Sequence, residues 1–282
     1  MATDTAKKND IDVARQVIET EAAALAALRD AINETMTRAV DILMNAPGFV
    51  IVAGVGKSGH IGRKIAATLA STGTPSFFVH PTEASHGDLG MIQKDCAVVA
   101  ISNSGETREL RDLLIYTQRE GVPVVGITAK PDSFLAQQST VTLLLPKTGE
   151  ACPNQLAPTS STTMTLAMGD ALAIAAMERR GFGPEDFGAR HPGGALGMRL
   201  QQVSEYLDLH KDRPNPVISA DAAFPDVLKA VSDGRCGAVS VVDSGGKLTG
   251  IVTDGDIRRA VMAHDQVQSL TANQMMSPSP VT

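Results

Sequence analysis

The chain has 282 residues, of which 43% are apolar, with 25 Lys and Arg set against 31 Asp and Glu for a net charge of −6. That length can bury a sizeable core and suits two domains better than one, and the ordinary Gly, Pro and charge content describes a soluble globular protein. The acidic balance argues against a nucleic-acid partner, since a phosphate-backbone binder carries a basic face.

Residues 9–46 predict one long N-terminal helix, with Leu28, Ile32, Met36, Val40 and Leu43 at helical spacing between charges. This segment, residues 1–46, packs either on its own domain or on a neighbouring copy. Short apolar runs then alternate with helical stretches. Strands are expected at Phe49–Ala53, Ser76–Val79, Ala97–Ile101, Pro123–Thr128 and Val141–Leu145. Helices are expected at Ile61–Ser71, Arg108–Arg119 and Thr159–Arg180, the last opening with Ser and Thr cap candidates after Pro158. Strands that are apolar throughout and separated by helices imply an α/β fold, a doubly wound parallel sheet covered on both faces, over residues 47–205.

The composition changes after Gly197, and 211–216 reads as a linker. Ala238–Val242, a turn at Ser244-Gly245-Gly246, and Leu248–Thr253 predict a hairpin. Asp254-Gly255-Asp256 would then cap a helix beginning near Ile257. Residues 210–282 form a smaller αβ module, and the tail from Met275 reads as the start of a further, incomplete unit.

Cys96, Cys152 and Cys236 are far apart and form no C-x-x-C pair, so neither zinc knuckle nor disulfide framework is expected. Reduced thiols suit a cytoplasmic protein. The opening MATDTAKKND has no apolar core of a signal peptide, and no run approaches the roughly 18 apolar residues of a membrane span.

Gly54-Val55-Gly56-Lys57-Ser58-Gly59 matches G-x-G-x-x-G between a strand and a helix. A dinucleotide site also wants an acid ending the second strand, but SFFV ends at His80, and the nearest acid, Glu83, follows a proline. Lys57 puts a positive charge in the loop, which suits a terminal phosphate. A second cradle follows the strand VVAI, where Ser102, Ser104 and Thr107 in ISNSGET offer three hydroxyls beside helix-terminal amides. Two such loops on neighbouring strand ends favour a sugar phosphate over NAD.

The SNSGET stretch, with GVGKSG upstream, resembles the sugar isomerase (SIS) domain. HPTEASHGDLGM at 80–91, GEACPNQLAPTSSTTMTLAMGDALA at 149–173 and HPGGALG at 191–197 are similar to the arabinose 5-phosphate isomerase family. The resemblance implies an aldose–ketose isomerase that interconverts D-ribulose 5-phosphate and D-arabinose 5-phosphate through an enediol, feeding Kdo and lipopolysaccharide synthesis without a metal or other cofactor. It also implies a homotetramer with sites near subunit interfaces.

Lys57, Glu109, Glu150 and His191 match the polar positions that family uses catalytically. Glu150, in the irregular stretch after VTLLL, is the proposed proton-shuttling base, a task for which burial would have to raise its pKa. His191, before Pro192-Gly193-Gly194, would assist ring opening or protonate an oxygen. Lys57 would neutralise phosphate or enediolate charge. Gly56, Ser58, His86, Ser102, Ser104 and Thr107 are the candidate substrate contacts. GAVSVVDSGGKLTGIVTDGDIRRA resembles a CBS repeat, in which Thr253 and Asp256 would face the ribose or phosphate of a nucleotide or sugar-nucleotide effector; a module for association alone is the other reading. The alternatives for the whole chain are a non-catalytic sugar-phosphate sensor on the same fold and an isomerase of another sugar phosphate.

Overall fold

The computed structural model describes residues 9–191, 204, 207–208, 211–212 and 214–281. The chain divides into two units, Met1–Leu200 and Gln201–Thr282.

In the first unit, β1 (Val50–Gly54), β2 (Ser76–Val79), β3 (Ala97–Ile101), β4 (Val124–Thr128) and β5 (Val141–Leu144) form one parallel sheet in the order β2-β1-β3-β4-β5. Every residue of β1, β3 and β4 is buried. The pleat explains why these strands are apolar throughout, since successive side chains point to opposite faces and both faces are covered. Val50, Val52, Val99, Ile101, Val125 and Ile127 enter one core, with Leu28, Val40, Leu43, Leu69, Met168 and Leu172 from helices α1 (Asp10–Ala31), α2 (Glu34–Met44), α3 (Gly56–Ser71) and α7 (Ser160–Arg180). Ile51, Ala53, Val98 and Ala100 enter the other, with Ala84, Leu113 and Leu135 from α4 (Pro81–Ser85), α5 (Leu110–Glu120) and α6 (Phe134–Gln138). The doubly wound sheet expected from the sequence is therefore present.

The single N-terminal helix is not. Ile32 turns extended, with φ −64° and ψ 132°, and the Asn33 side chain accepts from the Thr35 amide at 2.9 Å, closing α1 and starting α2. An Asn carbonyl offers the backbone an alternative to the next helical bond. Leu28 and Val40, on either side of the break, enter the same core, so the apolar spacing runs through it unbroken. Three short helices were also missed: α4, where His80 Nδ1 accepts from Thr82; α6, capped by Ser133; and α8 (Pro184–Arg190), opened by a proline.

The strand order reverses between β1 and β3, and in open α/β sheets ligands bind beyond the carboxyl ends of the strands at such a point. The two glycine-bearing loops leave the sheet there.

The second unit holds a four-stranded sheet, β6 (Val217–Ser219), β7 (Ala238–Val242), β8 (Leu248–Thr253) and β9 (Ser277–Pro278), in that order. The hairpin between β7 and β8 forms as expected, its turn held by Asp243 Oδ1, which accepts from the Gly245 and Lys247 amides at 2.9 Å each. One expectation fails. The next helix starts at Asp254, earlier than Ile257, because Thr253 is the cap and Asp256 closes a capping box with it. After Met275, Ser277 and Pro278 pair antiparallel with Ile251 and Gly250 at the edge of this sheet. Among the described residues, no helix is long and apolar enough to cross a membrane.

Candidate active site

Gly54, the last residue of β1, is the register partner of Ile101, the last of β3. A Cβ placed on Gly54 would lie 3.1 Å from the Ser58 carbonyl carbon and 3.2 Å from the Ile101 oxygen. The first turn of α3, carrying Lys57 and Ser58, is thus seated against the point where the second loop begins. Gly56 opens α3 with φ +58°, a conformation glycine adopts without strain. Val55, at the N-cap position, brings no side-chain acceptor to the first-turn amides. Lys57 is exposed and forms no ion pair among the described residues.

On the second loop the Ser102 hydroxyl lies 2.8 Å from Thr107 Oγ1 and 3.5 Å from Ser104 Oγ, so the three hydroxyls gather at the end of β3. Ser102 Oγ accepts from the Gly105 amide at 3.0 Å, and Ser104 Oγ from the Glu106 amide at 3.3 Å. The loop is braced against the neighbouring strand and helix. Ser102 N donates to Ile127, Ala129 N to Asn103 O, and Leu135 N to Gly105 O. Glu106 Oε1 accepts from the Phe134 amide at 2.9 Å, which makes it a cap of α6.

His86 follows α4, after β2, and is exposed. Glu109 precedes α5 and is exposed, and its carboxylate makes no capping bond. Both therefore sit on loops leaving the carboxyl edge of the sheet.

Glu150 lies in the segment joining β5 to α7, as expected, and is half-buried. Its Oε2 accepts from the Thr159 amide at 2.7 Å, the Thr159 hydroxyl at 2.9 Å and the Ser161 amide at 3.2 Å. Its own amide donates to Gln155 Oε1 at 2.8 Å. Burial pushes the Glu150 carboxyl up, but the Ser161 and Thr159 donors together outweigh it, and the net shift is downward. The raised pKa that the base role was held to require is therefore not met: these bonds hold the carboxyl below its ordinary value.

His191 stands elsewhere. Its ring stacks on Phe187 with centroids 3.9 Å apart, and Nδ1 is 2.8 Å from the Phe187 carbonyl. The preceding Arg190 donates to the Ala70 carbonyl, at the far end of α3 from Lys57, and lies over Phe182, just past the end of α7. Glu150 caps the start of α7, whose 21 residues rise about 30 Å. One chain therefore does not bring His191 to Glu150 or to the hydroxyl cradle. Residues 192–197 of the HPGGALG stretch lie outside the described residues.

In the second unit, Thr253 and Asp256 are engaged with each other. Asp256 Oδ2 accepts from the Thr253 hydroxyl at 2.6 Å and its amide at 2.9 Å, while Oδ1 accepts from Arg259 at 2.6 Å and Ser277 at 3.3 Å. Burial raises the Asp256 carboxyl, and these donors and the Arg259 charge bring it below its ordinary value. Among the described residues no group of three or more His, Cys, Asp and Glu is arranged to hold a metal.

Thr159, Ser161 and Gln155 were missed as the frame of Glu150. The Ser/Thr run after Pro158 was the only visible signal, and nothing in the sequence says which carboxylate reaches it.

Residues 43–175 match the SIS domain family and residues 204–263 the CBS domain family. The chain is 48% identical over 267 residues to arabinose 5-phosphate isomerase KdsD of Pseudomonas aeruginosa, covering 95% of this chain and 82% of that protein. It is 46% identical over 269 residues to arabinose 5-phosphate isomerase KpsF of Escherichia coli, covering 95% and 81%. An Escherichia coli structure solved in complex with arabinose 5-phosphate superposes on 66% of this chain and 100% of its own with a TM-score of 0.63 and 41% identity. A parallel sheet with its anion-suited loops at the switch point, and near half identity along most of both chains, together place this chain in the arabinose 5-phosphate isomerase family.

Proposed function

We infer that the chain interconverts D-ribulose 5-phosphate and D-arabinose 5-phosphate. The observation that carries this is the pair of loops at the ends of β1 and β3, where the Ser102, Ser104 and Thr107 hydroxyls gather one residue past Ile101 and the first turn of α3 lies against the paired end of β1. In this reading they hold the phosphate, with Ser58 and the α3 amides, and Lys57 supplies the counter-charge. Aldose–ketose interconversion then moves one proton between C1 and C2 through an enediol, which needs a base and donors for the developing oxyanion. Glu150, ionised, is the base. Glu109 and His86, on loops leaving the same edge of the sheet, are the further groups assigned to the substrate.

His191, set beyond the other end of α7, joins the site from a second copy of the chain, so the working enzyme is an oligomer, taken as a homotetramer in the cytoplasm. Its product feeds Kdo and lipopolysaccharide synthesis, as the family resemblance implies. A nucleotide or sugar-nucleotide effector at the CBS-type unit is the matching regulatory reading.

The test is direct. The purified chain should convert ribulose 5-phosphate to arabinose 5-phosphate, and Glu150→Gln and His191→Ala should each be inactive. Mixing the two inactive variants through a dissociation and reassembly cycle should restore part of the turnover. Saturable binding without turnover would instead identify a sensor, and no recovery on mixing would return His191 to its own chain.

A further inference from the structure

Thr159 occupies the N-cap position of α7, yet its side chain makes no capping bond. Capping is done from the loop, by Glu150 Oε2, which takes the Thr159 and Ser161 amides. That leaves the Thr159 hydroxyl for another purpose. Its oxygen accepts from the Ala151 amide at 2.8 Å, and its single proton goes to Glu150 Oε2 at 2.9 Å. With one lone pair of the hydroxyl held by a backbone N–H, its proton has two staggered positions left, and the one it uses here meets Glu150 Oε2. Three bonds to the carboxylate, from the Thr159 amide, the Thr159 hydroxyl and the Ser161 amide, fall on Oε2, and the Ser161 side chain is a further donor to the same carboxylate. The loop is locked a second time by Gln155, which takes the Glu150 amide and donates to its carbonyl at 2.6 Å.

We propose that Thr159 is a positioning residue for the isomerisation, fixing Glu150 through Oε2 so that Oε1 is the oxygen that exchanges the proton with substrate. The inference rests on Glu150 being the base. In the step, Oε1 takes the proton from the carbon beside the carbonyl. The C–H electron pair becomes the enediolate double bond, and the carbonyl electrons move onto oxygen. The hydroxyl on the carbon that lost its proton passes its own proton to the enediolate oxygen and becomes the new carbonyl, while the C=C pair takes the proton back from Oε1 onto the former carbonyl carbon, leaving the carboxylate as it began. Two donors from the α7 backbone and the side chains of Thr159 and Ser161 keep the carboxylate plane fixed during this exchange, and a small misplacement of a reacting group is costly.

The other titratable groups of this corner are Cys152 and the exposed Lys147 on the same segment, and Glu21 of α1, which accepts from Thr163 at 3.0 Å. All three remain in every variant, so a difference between Thr159 variants isolates its hydroxyl.

Thr159→Val keeps the shape and removes the oxygen, and Thr159→Ser keeps the oxygen. The full chain carrying each is assayed with ribulose 5-phosphate across pH, beside Glu150→Gln. Thr159→Val should lower kcat about 10- to 100-fold with KM nearly unchanged. Its acid limb should move to higher pH, since one hydrogen bond to the ionised form is gone. Thr159→Ser should restore both. If Thr159→Val does not fold, Thr159→Ala against Thr159→Ser makes the same one-oxygen comparison. An acid limb in the wild-type position, or a Ser variant as impaired as its Val or Ala counterpart, overturns the inference about Thr159 alone. A Glu150→Gln variant with wild-type turnover overturns the assignment of the base, and with it this proposal.

Discussion

Replacing Gly105 by alanine should both strain and crowd the phosphate loop, and the two effects can be separated. Gly105 sits at φ +66°, in the left-handed region, where a non-glycine residue costs about 1–2 kcal/mol. The added Cβ would lie 2.0 Å from Ser133 Oγ and 2.3 Å from Ser133 Cβ, with Thr128 Oγ1 at 2.9 Å. Relieving that overlap by backbone shift costs a further ~1–3 kcal/mol, for a total of about 2–5 kcal/mol. Ser133→Gly removes the two nearest atoms and, as a cap change, costs only a few tenths of a kcal/mol by itself. The double variant should therefore recover the crowding part and keep the strain part, a favourable coupling of roughly 1 kcal/mol or more. Hydrogen exchange at the β3 and β4 amides reads the first unit apart from the second. The single variant should also raise KM for ribulose 5-phosphate, because Ser102 Oγ loses its fixed contact with the Gly105 amide. Stability within about 0.5 kcal/mol of wild type, or no coupling with Ser133→Gly, would refute the geometry of this loop.

Two further outcomes follow from the titrating groups. The Asp256 carboxyl is depressed in the folded unit, so the stability it contributes is intact above the unfolded carboxylate pKa and is lost as pH falls through the folded value. Unfolding of the second unit should show this acid slope below about pH 4, and Asp256→Asn should flatten it; an unchanged slope would count against the capping box. The Cys152 thiol is lowered by the backbone amides of Ala157, Leu156 and Asn154, opposed by burial and helped by Gln155. Its alkylation by iodoacetamide should persist to lower pH than that of the exposed Cys236, while the buried Cys96 stays protected; parallel pH profiles for Cys152 and Cys236 would contradict this.

The sheet was legible because its strands are covered twice. VIVAG and AVVAI carry no polar position that could face water, and that admits few interpretations. The loops after β1 and β3 were legible for a similar reason, since glycines and hydroxyls at strand ends have a narrow set of uses. The break at Asn33 was not, because Leu28 and Val40 serve one core from two helices and leave the periodicity intact. The downward shift of Glu150 was not legible because its donors come from nine and eleven residues further along, and a segment of that shape is set by tertiary packing. His191 was placed by motif alone, and a motif carries no record of which end of α7 its neighbours occupy.

The Glu106 bond to the α6 amide has one more consequence. With the Gly105 carbonyl held by Leu135 as well, the loop proposed to seat the anion is held in shape by the protein's own bonds. A ligand entering it as proposed would lose its own freedom on arrival but need not also order the protein, so affinity would be drained less by conformational entropy. On that reading such a rigid seat would grip the charged end of any short phosphorylated sugar alike, and leave discrimination among them to the groups that meet the carbon chain.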